Sequence, residues 1–237
     1  MITNVTYIKH SCYLVELTDA YLLFDYYEGE LPPLSKEKPL YVFASHFHQD
    51  HFSFHLFQEL ASYTKVTYLL SKDIKRKYNK GYFTRNGVTE EQYAQIQFLS
   101  HDVSLELPTL LVRTLQSTDS GVAFLLQGKE ETIYHAGDLN WWTWEGETRE
   151  EYQAMTQAFQ KEIAKMEGMH INLAFLPLDA RQNRTFHLGF DYFMRHVEVD
   201  QVYPMHFFDN YTVIPKLRAM DCSAPYRQKI HDPFPME

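Results

Sequence analysis

The segment Ser45-His46-Phe47-His48-Gln49-Asp50-His51 follows directly after the apolar run Leu40–Ala44 and carries four metal-ligating side chains within six residues. Adjacent residues such as Asp50 and His51 point to opposite faces of a β-strand, so the segment is predicted to be a loop at the end of a strand. In such a loop a tight turn brings several side chains together. Imidazole and carboxylate groups suit zinc, manganese or iron, and the mixed set is typical of catalytic metal sites. The segment therefore predicts a metal centre.

A helical arrangement of the same histidines is the alternative. His51 and His55 lie four residues apart, as the two zinc-binding histidines of helical zinc proteases do. Those proteins have a glutamate directly after the first histidine as general base, whereas this chain has Phe52 there. The loop is therefore preferred, with His55 on a helix outside the centre.

Three further predicted strand ends carry a carboxylate or an imidazole. Asp25 ends the run Tyr21–Phe24, Asp138 follows the run at 133–135, and His206 follows the run at 201–203. Each alone is weak evidence, because a single histidine after a strand is more often structural. Their order relative to the segment at 45–51 is the informative feature.

Composition limits the class of protein. The chain has 237 residues, of which 45% are hydrophobic, and a net charge of −9. This is typical of one globular domain, predicted to span residues 1–237, and the negative charge disfavours a nucleic-acid partner. Only Cys12 and Cys222 are present, too few for a disulfide scaffold or a zinc ribbon. Without a signal-peptide pattern or an apolar run long enough for a membrane, a cytoplasmic protein with no membrane partner is expected.

Apolar and aromatic runs predict the secondary structure. Strands are expected at 5–8, 12–15, 21–24, 40–44, 66–70, 110–115, 122–126, 133–135, 173–176 and 201–203. Helices are expected at 52–63, 149–167 and 188–197, and a helix followed by an irregular loop at 72–92. Strands first, then mixed strands and helices, indicate an α/β (α+β) fold with two sheets and helices packed outside.

The order of an HxHxDH segment, a Gly-Asp pair at a strand end and a late histidine resembles the metallo-β-lactamase superfamily. The resemblance spans nearly the whole chain, from Asp25 to His206. The chain is most similar to the branch of ascorbate-6-phosphate lactonase-like hydrolases, which also have His-Ala-Gly-Asp and Pro-Met-His segments, here at 135–138 and 204–206. The resemblance implies a four-layer αβ/βα sandwich of two mixed β-sheets with external helices.

The same resemblance implies a role for each motif residue. It assigns His46 and His48 to a first metal ion, Asp50, His51 and His206 to a second, and Asp138 to both. Asp25 matches a family aspartate that supports the HxHxDH segment from behind, and such partners orient a ligand and raise its basicity. The implied cofactors are one or two divalent ions, with zinc favoured and manganese or iron as alternatives.

The chain departs from the family pattern before Asp138. A histidine usually stands at a strand end there, whereas this chain has Leu115-Gln116-Ser117-Thr118-Asp119-Ser120-Gly121. The first metal site therefore lacks one imidazole, and Ser117 or Asp119 is the candidate substitute. A carboxylate favours manganese or iron over zinc. We expect a weaker first site and a fully equipped second site.

Substrate-contacting residues are predicted after the later strands. Arg181 is expected to bind a phosphate or carboxylate in a pocket shared with Asp179, and the alternative is a surface ion pair between the two. His187 is a candidate acid or substrate donor, and the alternative is a role at a helix start. The aromatic residues after the Gly-Asp motif either line the pocket or pack in the core: Trp141, Trp142 and Trp144.

Three functions are compatible with these features. The leading hypothesis is a hydrolase in which a metal ion activates water, Asp50 or Asp138 accepts the proton, and a small anionic phosphoester, phosphodiester or lactone is cleaved. The second is an iron-dependent redox enzyme of the same fold. Flavin-linked di-iron relatives generally have glutamate in place of His48, which disfavours that type and leaves a thiol dioxygenase as the redox alternative. The third is a non-catalytic metal-binding descendant of a hydrolase. A small molecule is the expected partner, and a homo-oligomer is left open.

Overall fold

Two six-stranded β-sheets form the centre of the computed structural model, which describes residues 1–234. The first sheet consists of β1 (Ile2–Lys9), β2 (Cys12–Leu17), β3 (Tyr21–Phe24), β4 (Leu40–Ala44), β5 (Val66–Ser71) and β6 (Ile96–Leu99), side by side in chain order. β1 to β3 are antiparallel, and β3 to β6 are parallel. The sheet is therefore mixed.

The second sheet is mixed in the same way. It consists of β7 (Ser104–Glu106), β8 (Leu111–Gln116), β9 (Val122–Gln127), β10 (Thr132–His135), β11 (His170–Pro177) and β12 (Glu198–Met205), again side by side in chain order. β7 to β10 are antiparallel, and β10 to β12 are parallel.

Helices cover the outer faces of the two sheets. They are α1 (His55–Glu59), α2 (Lys72–Lys77), α3 (Lys80–Arg85), α4 (Glu90–Ala94), α5 (Arg149–Ala164), α6 (Leu188–His196) and α7 (Val213–Ala219). α5 begins where Thr148 and Glu151 form a reciprocal capping box, which satisfies two backbone groups that the helix itself leaves free. Among residues 1–234, no helix is both long and apolar enough to cross a membrane.

Alternate side chains of the central strands enter two different cores. Phe24 and Phe43 face the second sheet and stack with ring centroids 4.9 Å apart. Leu23 and Val42 instead join the core formed with α1, α2 and α3. Both faces are buried, which explains why these strands have continuous apolar sequences. With α5 and α6 packed on the second sheet, the predicted four-layer arrangement and fold class are confirmed.

The structure corrects the prediction at weakly apolar segments. β6 and β7 were not predicted, because they are short and half-exposed and lack a continuous apolar run. Residues 72–92 form short helices instead of one helix and a loop, since Asn79 and Thr89 each cap a new helix. The helix expected at 52–63 is limited to α1, and α7 was not predicted.

Candidate metal centre

The candidate centre lies where the two sheets meet at the carboxyl ends of their parallel strands. Asp25 follows β3, the HxHxDH segment follows β4, Asp138 follows β10 and His206 follows β12. Parallel neighbours end at the same edge of a sheet, so side chains far apart in sequence converge here.

Two glycines allow the sheet edges to approach. Gly121 and Gly137 both have a left-handed backbone, with φ of 70° and 51°. A Cβ at Gly121 would lie 1.9 Å from the carbonyl oxygen of Ser45, and one at Gly137 would lie 2.6 Å from the Cβ of Ser45. Val122 N–H donates to the same carbonyl at 2.9 Å. Only glycine fits at both positions, and this contact sets the distance between the HxHxDH segment and Asp138.

The potential ligands form two groups, and within each group the ligand atoms lie within 4.8 Å of one another. The first group is His46, His48, Asp119 and Asp138, and the second group is His10, Asp50, His51 and His206. The structure thus brings together all six residues that the family resemblance implied. It adds Asp119 to the first group and His10 to the second.

Asp138 lies between the two groups. Its Oδ1 is 3.2 Å from His51 Nε2 and 3.3 Å from His206 Nε2. Its Oδ2 is 3.4 Å from His46 Nε2. One carboxylate therefore faces histidines of both groups, which is the arrangement that a shared ligand requires.

These separations fit a bound cation better than they fit hydrogen bonds. Two ligand atoms on a tetrahedral zinc ion, each about 2.1 Å from the metal, lie roughly 3.4 Å apart. Among residues 1–234, the buried atoms His10 Nε2, His51 Nε2 and Asp138 Oδ1 have no hydrogen-bond partner. Buried polar atoms are rarely left unpaired in folded proteins. The residues present therefore fit one or two divalent cations.

Carboxylates orient two of the histidines from behind. His51 Nδ1–H donates to Asp25 Oδ2 at 2.7 Å, and the backbone N–H and hydroxyl of Ser45 donate to the same carboxylate at 2.7 Å each. His206 Nδ1–H donates to Asp179 Oδ2 at 3.1 Å. Both contacts leave Nε2 as the ligand atom and make it a better electron donor.

The electrostatics of the centre favour positive charge. Burial alone would lower the pKa of His51, but the carboxylates of Asp138 and Asp25 outweigh burial and raise that pKa to about 9. Burial would raise the pKa of Asp179, yet the hydrogen bonds from His206 and Arg181 lower it to about 2. Burial and the nearby charge of His51 hold the pKa of His46 well below its usual value, so this imidazole is neutral and free to bind a metal.

Asp119, rather than Ser117, belongs to the first group. Ser117 Oγ accepts a hydrogen bond from the backbone N–H of Asp119 at 3.2 Å, so this hydroxyl holds the turn between β8 and β9. Asp119 Oδ2 lies 3.6 Å from His48 Nδ1, and the two side chains are 47% and 39% exposed. A carboxylate thus stands close to where the family pattern has a histidine.

A cavity of about 270 Å³ opens above both groups. Its walls contain ligand residues on one side and aromatic, aliphatic and cationic side chains on the other: His48, Asp50, Thr118, Asp119, Asp138, Trp142, Trp144, Met155, Arg181 and His206. This size and mixture of polar and apolar groups suit a small molecule.

Arg181 both pairs with Asp179 and lines the cavity, which were the two alternatives predicted from the sequence. Its Nε and Nη2 both donate to Asp179, at 2.9 and 2.5 Å from Oδ2, and the guanidinium lies 4.2 Å from the ring centre of Phe208. The same side chain is half-exposed and lines the cavity. The ion pair therefore fixes the guanidinium at the cavity wall.

Three other predicted pocket residues lie outside the cavity wall. Asp179 is fully buried behind Arg181, where its carboxylate supports His206. Trp141 packs against aromatic side chains of α5 and α6, whereas Trp142 and Trp144 line the cavity. His187 is the N-cap of α6 and is absent from the cavity lining. The three tryptophans have different environments because successive side chains in the turn after β10 point in different directions.

His10 is the ligand-group member that the sequence reasoning missed. It lies in the two-residue loop between β1 and β2 and has a left-handed backbone with φ of 54°. Asn, Asp and Gly are the usual residues in such loops. A histidine at this loop position is therefore unusual, and that is the feature of the sequence that could have identified His10 as a candidate ligand.

Comparison with known proteins gives the family. A model of the beta-lactamase superfamily domain matches residues 4–149, more than half of the chain. The chain therefore belongs to this superfamily. Among curated proteins, none matches the chain.

Solved structures share the fold at low sequence identity. The metallo-β-lactamase fold protein YhfI from Bacillus subtilis aligns with a TM-score of 0.61 at 14% identity, over 94% of this chain and 88% of that one. Igni18, a metallo hydrolase from Ignicoccus hospitalis, aligns with a TM-score of 0.59 at 17% identity, over 98% of both chains. CmlA, a diiron beta-hydroxylase from Streptomyces venezuelae, aligns with a TM-score of 0.57 at 14% identity, over 95% of this chain and 49% of that one. At these identities the likeness establishes the fold.

Proposed function

We propose that the chain is a metal-dependent hydrolase of a small anionic phosphoester, phosphodiester or lactone. The observation that carries the proposal is the cavity whose floor is formed by both ligand groups and whose wall presents the Arg181 guanidinium. A divalent ion held there supplies a Lewis acid and lowers the pKa of a bound water to about 7. The residues of the chain supply the rest of the chemistry.

Asp50 is the better placed of the two candidate proton acceptors. Its side chain is 32% exposed at the cavity wall, whereas that of Asp138 is 6% exposed and faces three imidazoles. The nearby imidazoles of His10 and His51 overcome the effect of burial and keep the pKa of Asp50 low. Asp50 is therefore ionised at neutral pH and able to accept a proton.

Arg181 sets the substrate class. A guanidinium whose orientation is fixed by Asp179 offers its remaining N–H groups to a phosphate or carboxylate oxygen. Trp142 and Trp144 provide an apolar wall, which favours a substrate with an uncharged portion beside its anionic group.

The remaining parts of the proposal concern metal and context. Zinc is the preferred ion for the imidazole-rich second group, and manganese or iron suits the carboxylate-containing first group. Placement in the ascorbate-6-phosphate lactonase-like branch, a cytoplasmic location and a small-molecule partner belong to the same proposal.

The test is a substrate panel on protein of measured metal content. Phosphomonoesters, phosphodiesters, lactones and neutral carboxylic esters are assayed before and after chelation and after metal is restored. We expect turnover of at least one anionic class, lost on chelation and regained with metal. Metal-loaded protein that cleaves no class, or that consumes oxygen with a thiol when iron-loaded, would overturn the proposal.

Arg181→Ala isolates the anion-binding step. Because hydrogen bonds to charged groups are worth about 1.5–3 kcal/mol, KM for an anionic substrate should rise roughly 10- to 100-fold, while metal content is retained. Arg113→Ala is the control, since Arg113 is exposed on β8. An unchanged KM for anionic and neutral substrates alike would remove Arg181 from substrate binding.

A further inference from the structure

We propose that His10 is a protein ligand of the second metal ion, so that the second group binds its ion through three imidazoles and one carboxylate. The inference rests on the metal centre of the proposed function and is independent of whether the protein hydrolyses anything.

The backbone of His10 is held against the end of β12. His10 N–H donates to the hydroxyl of Tyr7 at 2.8 Å, and His206 N–H donates to the His10 carbonyl at 3.3 Å. The loop between β1 and β2 and the loop after β12 are thus joined at two potential ligands. His10 and His206 both have left-handed backbones, with φ of 54° and 63°, and such strain in residues other than glycine concentrates at functional sites.

The imidazole of His10 points into the second group without a hydrogen-bond partner. The residue is 2% exposed, and neither ring nitrogen has a partner among residues 1–234. Its Nε2 lies 3.4 Å from Asp50 Oδ2, and its ring centre is 4.4 Å from that of His206. The first of these distances equals the spacing of two ligands on one tetrahedral ion, about 3.4 Å.

Two other roles for His10 explain less of the geometry. A charge-assisted hydrogen bond to Asp50 would be about 2.7–2.9 Å long, and the observed separation is larger. Packing against Phe208, at 4.2 Å between ring centres, accounts for the ring but not for two unpaired nitrogens in a buried site. A role as metal ligand accounts for the position of the ring and for the unpaired Nε2.

A ligand at His10 changes the balance between the two sites. The second group then has four ligands of its own, and Asp138 is an addition to them. The first group has only His46 and His48 as imidazoles and depends on Asp119 and the shared Asp138. Compared with the family pattern, the first site lacks one imidazole, and the second site gains one from His10.

The experiment compares His10→Asn with His101→Asn in metal binding. Asparagine tolerates a left-handed backbone but is too short to replace the ligand, and His101 is half-exposed beside Asp102. Metal-free protein is titrated with Co²⁺ and followed by visible absorption. We expect His10→Asn to weaken binding of the first equivalent by at least about tenfold and to change its spectrum, while His101→Asn behaves as wild type.

A second measurement uses the wild-type protein and does not depend on folding of the variant. X-ray absorption with one equivalent of Zn²⁺ counts imidazoles around the ion, and three are expected. Two imidazoles, or His10→Asn protein with unchanged affinity and spectrum, would overturn the role of His10. Protein that shows three imidazoles but no turnover would contradict the proposed function and leave this inference intact.

Discussion

The first and second ligand groups differ in how firmly the fold holds them. In the second group, the side chains of His51 and His206 are at most 3% exposed, and each is oriented by a buried carboxylate. In the first group, His48 and Asp119 are 39% and 47% exposed, and Asp119 lies on the turn between β8 and β9.

The difference follows from where each group is built. The second group lies between loops that end buried strands, on backbones strained by about 1–3 kcal/mol per left-handed residue, and such strain persists only where the surroundings enforce it. In the first group, His48 and Asp119 lie on solvent-exposed loops. A site whose ligands are already fixed loses less conformational entropy on binding metal, so we expect the second group to bind more tightly.

The largest expected effect comes from Asp138→Ala, which removes a carboxylate that faces both groups. Both metal affinities should fall, and turnover should fall by more than about a hundredfold, the upper end of the loss seen when only the partner of a ligand is changed. Metal analysis after gel filtration and kinetic assays measure the two effects. Asp200→Ala, at an exposed aspartate paired with His170, is the control. Loss of metal from only one group would show that Asp138 is not shared.

A smaller effect, confined to the second group, is expected from Asp25→Asn. The amide replaces an acceptor of the His51 Nδ1–H bond with a donor, so His51 loses its orientation. Affinity of the tight site should fall about 10- to 100-fold, with little change at the weak site. Asp102→Asn is a matched control, because Asp102 also has a left-handed backbone but lies at the exposed surface. Equal weakening of both sites would contradict the division into two groups.

The smallest effect is expected from Asp119→Ala. Titration of wild-type protein should resolve two separated affinities, and this variant should weaken only the looser one, by about tenfold, because the removed ligand is half-exposed. Ser117→Ala should leave the second group unchanged, since Ser117 only holds the turn. If two zinc ions bound with equal affinity, and Asp119→Ala changed neither affinity, the proposed difference between the two groups would be wrong.

Much of the fold could be predicted from local sequence. β3 and β4 are buried on both faces, and such strands have uninterrupted apolar runs that can be recognised without knowing their neighbours. β6 and β7 could not be predicted in this way, because half-exposed edge strands depend on pairing with β5 and β8 for their structure.

Sequence alone determined the prediction of a metal centre built on HxHxDH, Asp138 and His206, because ligand chemistry and spacing are local properties of the chain. Tertiary structure alone decided the membership of His10, the choice of Asp119 over Ser117, and the position of Asp179 behind the cavity wall. These depend on which loops meet when the two sheets pack face to face. His10 and His206 lie near opposite ends of the chain, and only the folded backbone brings their imidazoles together.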